Sequence, residues 1–331
     1  MRNLSLLCVL LTLLWTSIAV RAQGTATSPS ADISSELSSE EGSESPSATF
    51  YQNLEVQRFP QFMVQGLKTA QQIHYQVSSS FRVYAPDEDK YRKVEQKIES
   101  TKLVKADALS QAVFAQSLAA MKGRMLTYKV TESGEVLSVE GHEGNKQAID
   151  IVKPKSKGML ISSVMDEDGW KELAQLTLFQ PPKTTSKKPF LRKTTHDWGS
   201  LGSWYGETQF KGATKSRKPK KYSYQHKLQY MPPMKKEGDA SISMMGLTVE
   251  DAKFKVQKGA GEILYDHKQG HVTAVRELFH ARGTVATKML GNAATIAIDE
   301  RQIFTIRVSG YQESKPDVLV PSPECDTPES K

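Results

Sequence analysis

Alternation of apolar and polar residues with a period of two is what most restricts the fold of this chain. Tyr222, Tyr224, His226, Leu228 and Tyr230 alternate with Ser223, Gln225, Lys227 and Gln229. Phe304, Ile306 and Val308 alternate with Ile303, Thr305 and Arg307, and Leu126, Tyr128 and Val130 alternate with Thr127 and Lys129. A strand sends successive side chains to opposite faces, so each set shares one face of a half-buried strand. Such strands belong to antiparallel sheets that are covered on one side only. Turn signals separate them. Glu132-Ser133-Gly134 joins a strand at 124–131 to one at 135–140, and Asp266-His267-Lys268-Gln269-Gly270 joins 261–266 to 271–280. These are hairpins, which build meanders and not nucleotide-binding βαβ units.

Helical signals are few and clustered. Ala106 to Met121 places Leu109, Val113, Leu118 and Met121 near helical spacing in an alanine-rich stretch, with Gly123 just past its end. Asp166 or Asp168 can cap a second helix, over 166–178, that carries Trp170, Leu173 and Leu176 and is halted by Pro181-Pro182. Weaker turns fall around Ile149 to Val152 and Leu160 to Val164. The order of elements predicts an α+β fold. In it a large, curved, half-barrel-like antiparallel sheet carries a few helices packed on one face.

The first twenty-two residues read as a secretory signal peptide. Arg2 supplies the charge, Leu4 to Val20 the apolar run, and Val20-Arg21-Ala22 the exit before Gln23. The expected location is secreted or periplasmic, away from ATP and NAD pools. The alternative is an uncleaved anchor, because the run approaches the ~20 residues a spanning helix needs. Thr12, Trp15, Thr16 and Ser17 weaken it toward its end, and no other segment is apolar enough to span as a helix. The two cysteines are Cys8, inside the leader, and Cys325, so the exported chain holds one thiol and no internal disulfide. Cys8 lies within the apolar run and not after it, which argues against a lipoprotein. A core of ~260 residues needs no such staples, since it buries about three quarters of its unfolded surface. Residues 23–49 are rich in Ser, Glu, Thr and Ala, and 312–331 in Pro, Ser and Glu. Both lack the apolar surface to offset their ordering entropy and are expected to be disordered. One β-rich domain is expected over 50–311.

The stretch 118–141 (LAAMKGRMLTYKVTESGEVLSVEG), the Gly202-Ser203-Trp204 step after a Pro-containing segment, and the run GEILYDHKQGHV together resemble a group of uncharacterised secreted bacterial proteins. Their layout is similar to the half-barrel of LolA-like periplasmic carriers of lipids and lipoproteins. The resemblance covers most of 70–311 and implies a fold. It brings no catalytic residue.

Enzymatic signatures are absent. There is no Gly-x-Ser-x-Gly elbow, phosphate loop, dinucleotide fingerprint or His-Glu-x-x-His. The expectation is therefore a non-enzymatic protein without a cofactor. Tyr222, Tyr224 and His226 share a strand face that Trp204 and Phe210 could match from the strand before, where Thr208 lies between them on the same face. Such a polar-tipped apolar face suits core packing, and equally a cavity for a hydrophobic or amphipathic ligand such as a lipid. A carrier using these five residues is the leading expectation.

The alternative partner is an anionic surface of the cell envelope. The formal charge is +7, and removing Arg2 and Arg21 leaves 7 − 2 = +5. Lys187, Lys188, Arg192 and Lys193 form one basic cluster, and Lys211, Lys215, Arg217, Lys218, Lys220 and Lys221 another. Nucleic acid is a poor partner for an exported chain. His267 and His271 flank the Gly270 turn and could face one another across a hairpin, but no third ligand for zinc is visible beside them, so no metal is assigned.

Overall fold

The computed structural model describes residues 45–141, 167–182, 189–197, 202–212, 219–232, 243–244, 247–289 and 292–313. In chain order the elements are β1 (Ala48–Val64), β2 (Leu67–Ala70), β3 (Ile73–Pro86), β4 (Tyr91–Lys105), α1 (Ala108–Met121), β5 (Met125–Thr131), β6 (Val136–Glu140) and α2 (Glu167–Thr177). They continue with β7 (Phe190–Asp197), β8 (Ser203–Gly212), β9 (Lys220–Met231), β10 (Ser243–Met244), β11 (Leu247–Asp266), β12 (His271–Met289) and β13 (Asn292–Glu313). All strands join one antiparallel sheet in the order β6-β5-β4-β3-β1-β13-β12-β11-β9-β8-β7, with β2 added to β1 and β10 to β11.

Neighbours in this sheet are mostly neighbours in sequence. The exception at its centre is β13, which returns to pair with β1 along almost its whole length, from Ala48↔Glu313 to Val64↔Ile296. The first hairpin has a two-residue turn, Gln65-Gly66, with both residues in the left-handed region (φ 50° and 82°). That geometry matches the twist of the flanking strands.

The α+β expectation is overturned. Among the described residues there are thirteen strands and two short helices, so the architecture is one open antiparallel sheet and not a sheet under a helical layer. The alternation runs much further than short windows reveal: β11, β12 and β13 are 20, 19 and 22 residues long. The turns expected around Ile149 and Leu160 lie outside the described residues.

Each helix has a local seat. α1 follows β4 and buries Phe114, Leu118 and Met121, while Thr101 of β4 donates its hydroxyl to the Leu118 carbonyl at 2.8 Å. Gly123, at φ 81°, ends it in the left-handed conformation that glycine adopts without cost. α2 buries Trp170, Leu173, Ala174 and Thr177, a spacing of three, four and seven that marks a single helix face. Asp168 lies inside α2, and Asp166 outside the described residues.

α2 also sits where the two unpaired edges of the sheet approach each other. Arg192 of edge strand β7 donates to the Ser133 carbonyl in the turn before the opposite edge strand, at 2.6 Å, and to the Gln180 carbonyl just past α2, at 2.9 Å. Its guanidinium lies 4.9 Å above the Phe179 ring. Burial pushes the Arg192 pKa down to about 10, countered by Glu135, so it stays charged at neutral pH. Phe179 in turn packs on Phe190, Phe210, Tyr222 and Tyr265 at 5.2–6.3 Å between ring centres.

The inner face carries two apolar clusters. The larger joins β1, β3–β6, β8, β9, β11–β13, both helices and Phe179. The smaller, around Trp204, Val249, Val285, Ile296 and Ile298, lies toward the other ends of the long strands. Replacing Phe179 by alanine is expected to cost about 3–5 kcal/mol, as for other buried aromatics. Equilibrium urea unfolding should show a lowered midpoint with an unchanged slope. A loss under ~1 kcal/mol would mean that Phe179 does not hold the two edges together.

Candidate functional site

A band of buried polar side chains separates the two apolar clusters. Arg58 (β1), Glu300 and Gln302 (β13), Glu277 (β12), His226 (β9) and Thr208 (β8) are all buried. Strand alternation places them there: Leu54, Val56 and Arg58 share one face of β1, as do Glu300, Gln302, Phe304 and Ile306 of β13. Arg58 Nε donates to Glu300 Oε1 at 2.9 Å, Nη2 contacts the same oxygen, and Gln302 Nε2 donates to it at 2.7 Å.

Further along the band, Tyr224 Oη donates to Glu277 Oε2 at 2.5 Å. His226 Nε2 lies 3.3 Å from Glu277 Oε1. Its Nδ1 meets Thr208 Oγ1 at 2.8 Å, and Thr208 meets Thr194 Oγ1 of β7 at 2.6 Å. Burial, then the Glu277 carboxylate and Glu172, hold the Tyr224 phenol well above its ordinary pKa, so it remains a donor.

Two glycines make this contact possible. β11 lies between β9 and β12, and its Gly261 pairs with Tyr224 on one side and Glu277 on the other. A Cβ at Gly261 would stand 2.3 Å from the Tyr224 ring and hydroxyl, and one at Gly259 would stand 3.1 Å from His226 Cβ. The missing side chains let Tyr224 and His226 lie across β11 and reach Glu277.

A cleft of about 290 Å³ opens beside this band, between α2 and strands β6–β9. Val136, Leu176 and Phe210 give it apolar surface, and Asp168, Lys171, Glu172, Lys193, Thr194, Thr195, Thr208 and His226 give it polar surface. A cavity of about 20 Å³ lies further in, lined by Glu172, Trp204, His226, Leu228, Glu277, Phe279, Gln302 and Phe304. Glu172 and His226 border both spaces.

The five ligand-binding candidates take different places. Phe210 and His226 line the cleft, and Trp204 lines the inner cavity. Tyr222 and Tyr224 are buried members of the larger apolar cluster, with Tyr222 hydrogen-bonded to His267 at 3.0 Å. Of the basic candidates, Lys193 and Lys211 are exposed, and Lys193 borders the cleft. Lys220 lies over the Tyr222 ring and Lys221 pairs with Glu262 at 2.5 Å. Arg192 is a strap between the sheet edges and not a solvated cation. Lys187, Lys188, Lys215, Arg217 and Lys218 lie outside the described residues.

His267 and His271 turn to different partners. His267 bonds Tyr222, and burial and Lys220 hold its pKa below the ordinary histidine value. His271 stacks on Tyr311 at 4.1 Å. Thr208, expected on the face of Trp204 and Phe210, lies there and bonds His226, whereas nothing in the sequence pointed to Glu172 or Glu277, because polar residues inside a strand or helix carry no signal until their neighbours are known.

No protein-family profile matches the chain, and no curated protein matches it. Among solved structures, lipovitellin, studied for its lipid–protein interactions, is 6% identical over 82% of this chain, with a TM-score of 0.39. This chain spans only 26% of that one. A DUF1329 family protein from Desulfovibrio piger is 10% identical over 81% of this chain and 87% of its own, with a TM-score of 0.12. A mutant porin of Rh. blastica is 7% identical over 78% and 99%, with a TM-score of 0.20. Likenesses this distant carry no functional argument. No helix among the described residues is long and apolar enough to cross a membrane.

The gap at Gly261 yields a direct test. Gly261→Ala should destabilise the protein by about 1–3 kcal/mol, the usual cost of overpacking. In a Tyr224→Ala background the same change should cost much less, because the clashing ring is gone. A double-mutant cycle by urea unfolding reads the difference. Equal costs in both backgrounds would show that Tyr224 does not cross β11.

Proposed function

We propose that this is an exported, non-enzymatic binding protein that takes a small amphipathic ligand into the cleft between α2 and strands β6–β9. The observation that carries this reading is the composition of that cleft. Apolar surface from Val136, Leu176 and Phe210 continues into a polar row of Thr194, Thr208 and His226, with charges of both signs, Lys171, Lys193, Asp168 and Glu172, also on its lining. An acyl or ring portion would lie on the first, and a polar or anionic head would meet the second. The volume of about 290 Å³ is at the small end of the ~300–1,000 Å³ typical of ligand sites. It suits a short amphiphile, or the head and first carbons of a longer one. Tyr222 and Tyr224 are buried in the larger apolar cluster and do not line the cleft. The charged and apolar stretch at 1–22 supports export, and the lack of nucleophile-elbow, phosphate-loop and metalloprotease motifs supports a non-enzymatic role.

Organic extraction of the natively purified chain, read by mass spectrometry, should recover an amphiphile. A dansyl-labelled fatty acid should bind saturably. Thr195→Trp, an exposed position on the cleft wall, should weaken that binding at least tenfold, about 1.4 kcal/mol, with no change in melting temperature. A clean extract together with no saturable uptake, or uptake unaffected by Thr195→Trp, would overturn the reading.

A further inference from the structure

We propose that Glu172, His226 and Glu277 form a binding site for a divalent transition-metal ion, zinc being the best match. Two of these residues, Glu172 and His226, also border the outer cleft, so the test below reads metal and amphiphile separately. One ligand atom from each residue lies within 4.8 Å of the others. The residues come from α2, β9 and β12, so three separate elements converge on one point. They also line the cavity of about 20 Å³, which is room for a single ion or water.

The spacing of His226 and Glu277 is compatible with an ion between them. Their nearest atoms are 3.3 Å apart, whereas charge-assisted N–H···O contacts run ~2.7–2.9 Å. Zinc bonds of ~2.0–2.1 Å in a tetrahedron set neighbouring ligand atoms ~3.3 Å apart. The outer partners are of the kind that orient metal ligands. Thr208 holds His226 Nδ1, turning Nε2 toward Glu277, and Tyr224 occupies the second oxygen of Glu277, leaving Oε1 facing His226. With three protein ligands, a fourth position remains for water or an oxygen donor.

The test uses the exported, untagged chain, stripped with EDTA and dialysed against Zn²⁺ or Co²⁺. One ion per chain is expected, with visible Co²⁺ absorption of tetrahedral intensity. His226→Ala and Glu277→Gln should weaken uptake at least tenfold. Glu172→Gln, on a half-buried helix position, should do the same without lowering the melting temperature of the stripped protein, and it decides the matter if the two core variants fail to fold. The double variant His267→Ala, His271→Ala should bind as the wild type does. Absence of uptake, uptake unchanged by Glu172→Gln, or uptake abolished only by the His267/His271 pair would overturn the assignment. Retained ligand binding with no metal uptake would refute this site alone, and metal uptake without a bound amphiphile would leave it standing.

Discussion

The bond between Tyr224 and Glu277 reaches across an intervening strand, and the rest of the site is arranged around that reach. It exists because β11 carries glycine where the two side chains need the space. A buried phenol must find a partner, and a buried carboxylate must be bonded or compensated. The crossing satisfies both at once. Beside it Gly259 leaves room for His226 to approach Glu277, and Thr208, directly across from His226, completes the row from Thr194 to Glu277.

The polar band has a cost and a use. Removing one partner of a buried pair such as Arg58–Glu300 leaves an uncompensated charge, typically worth about 3–5 kcal/mol. That penalty applies to any misaligned sheet. A one-residue slip of a strand sends every side chain to the opposite face. In strands of about twenty residues whose apolar positions repeat many times, the hydrophobic pattern alone discriminates poorly between slips of two. Arg58 bonded diagonally to Glu300, and Tyr224 bonded across β11 to Glu277, discriminate well, because a slip of two strands a charge against apolar neighbours.

The edges of the sheet pose a different problem. Unpaired strand edges invite association with other chains. Here β6 and β7 turn toward one another with α2 and Phe179 between them, and Arg192 ties the β7 edge to the turn beside β6. The cleft is the space left in this partial closure. Its position between helix and edge strands, with the polar band as its inner boundary, explains why it mixes apolar and charged lining.

Much of the strand content was legible in the sequence because alternation is a local property: the inward set Tyr222, Tyr224 and His226 can be read from nine consecutive residues. The α2 stripe of Trp170, Leu173 and Leu176 was legible for the same reason. The balance between sheet and helix was misjudged, since short windows around 48–64 and 247–313 do not reveal unbroken strands of some twenty residues. The tyrosine row was found but its role was not. Whether a polar-tipped face lines a cavity or a core depends on what lies opposite, here Phe179, which comes from a segment more than forty residues away. Glu277 is an ordinary alternating position until β11 is laid between it and Tyr224, 53 residues earlier. By itself the sequence determined the local alternation, and so which face each side chain takes within a strand such as 222–230, because that follows from backbone geometry over a few residues. Only the tertiary structure decided which polar side chains meet, because that depends on strand order, register and the missing side chains of two glycines on a strand in between.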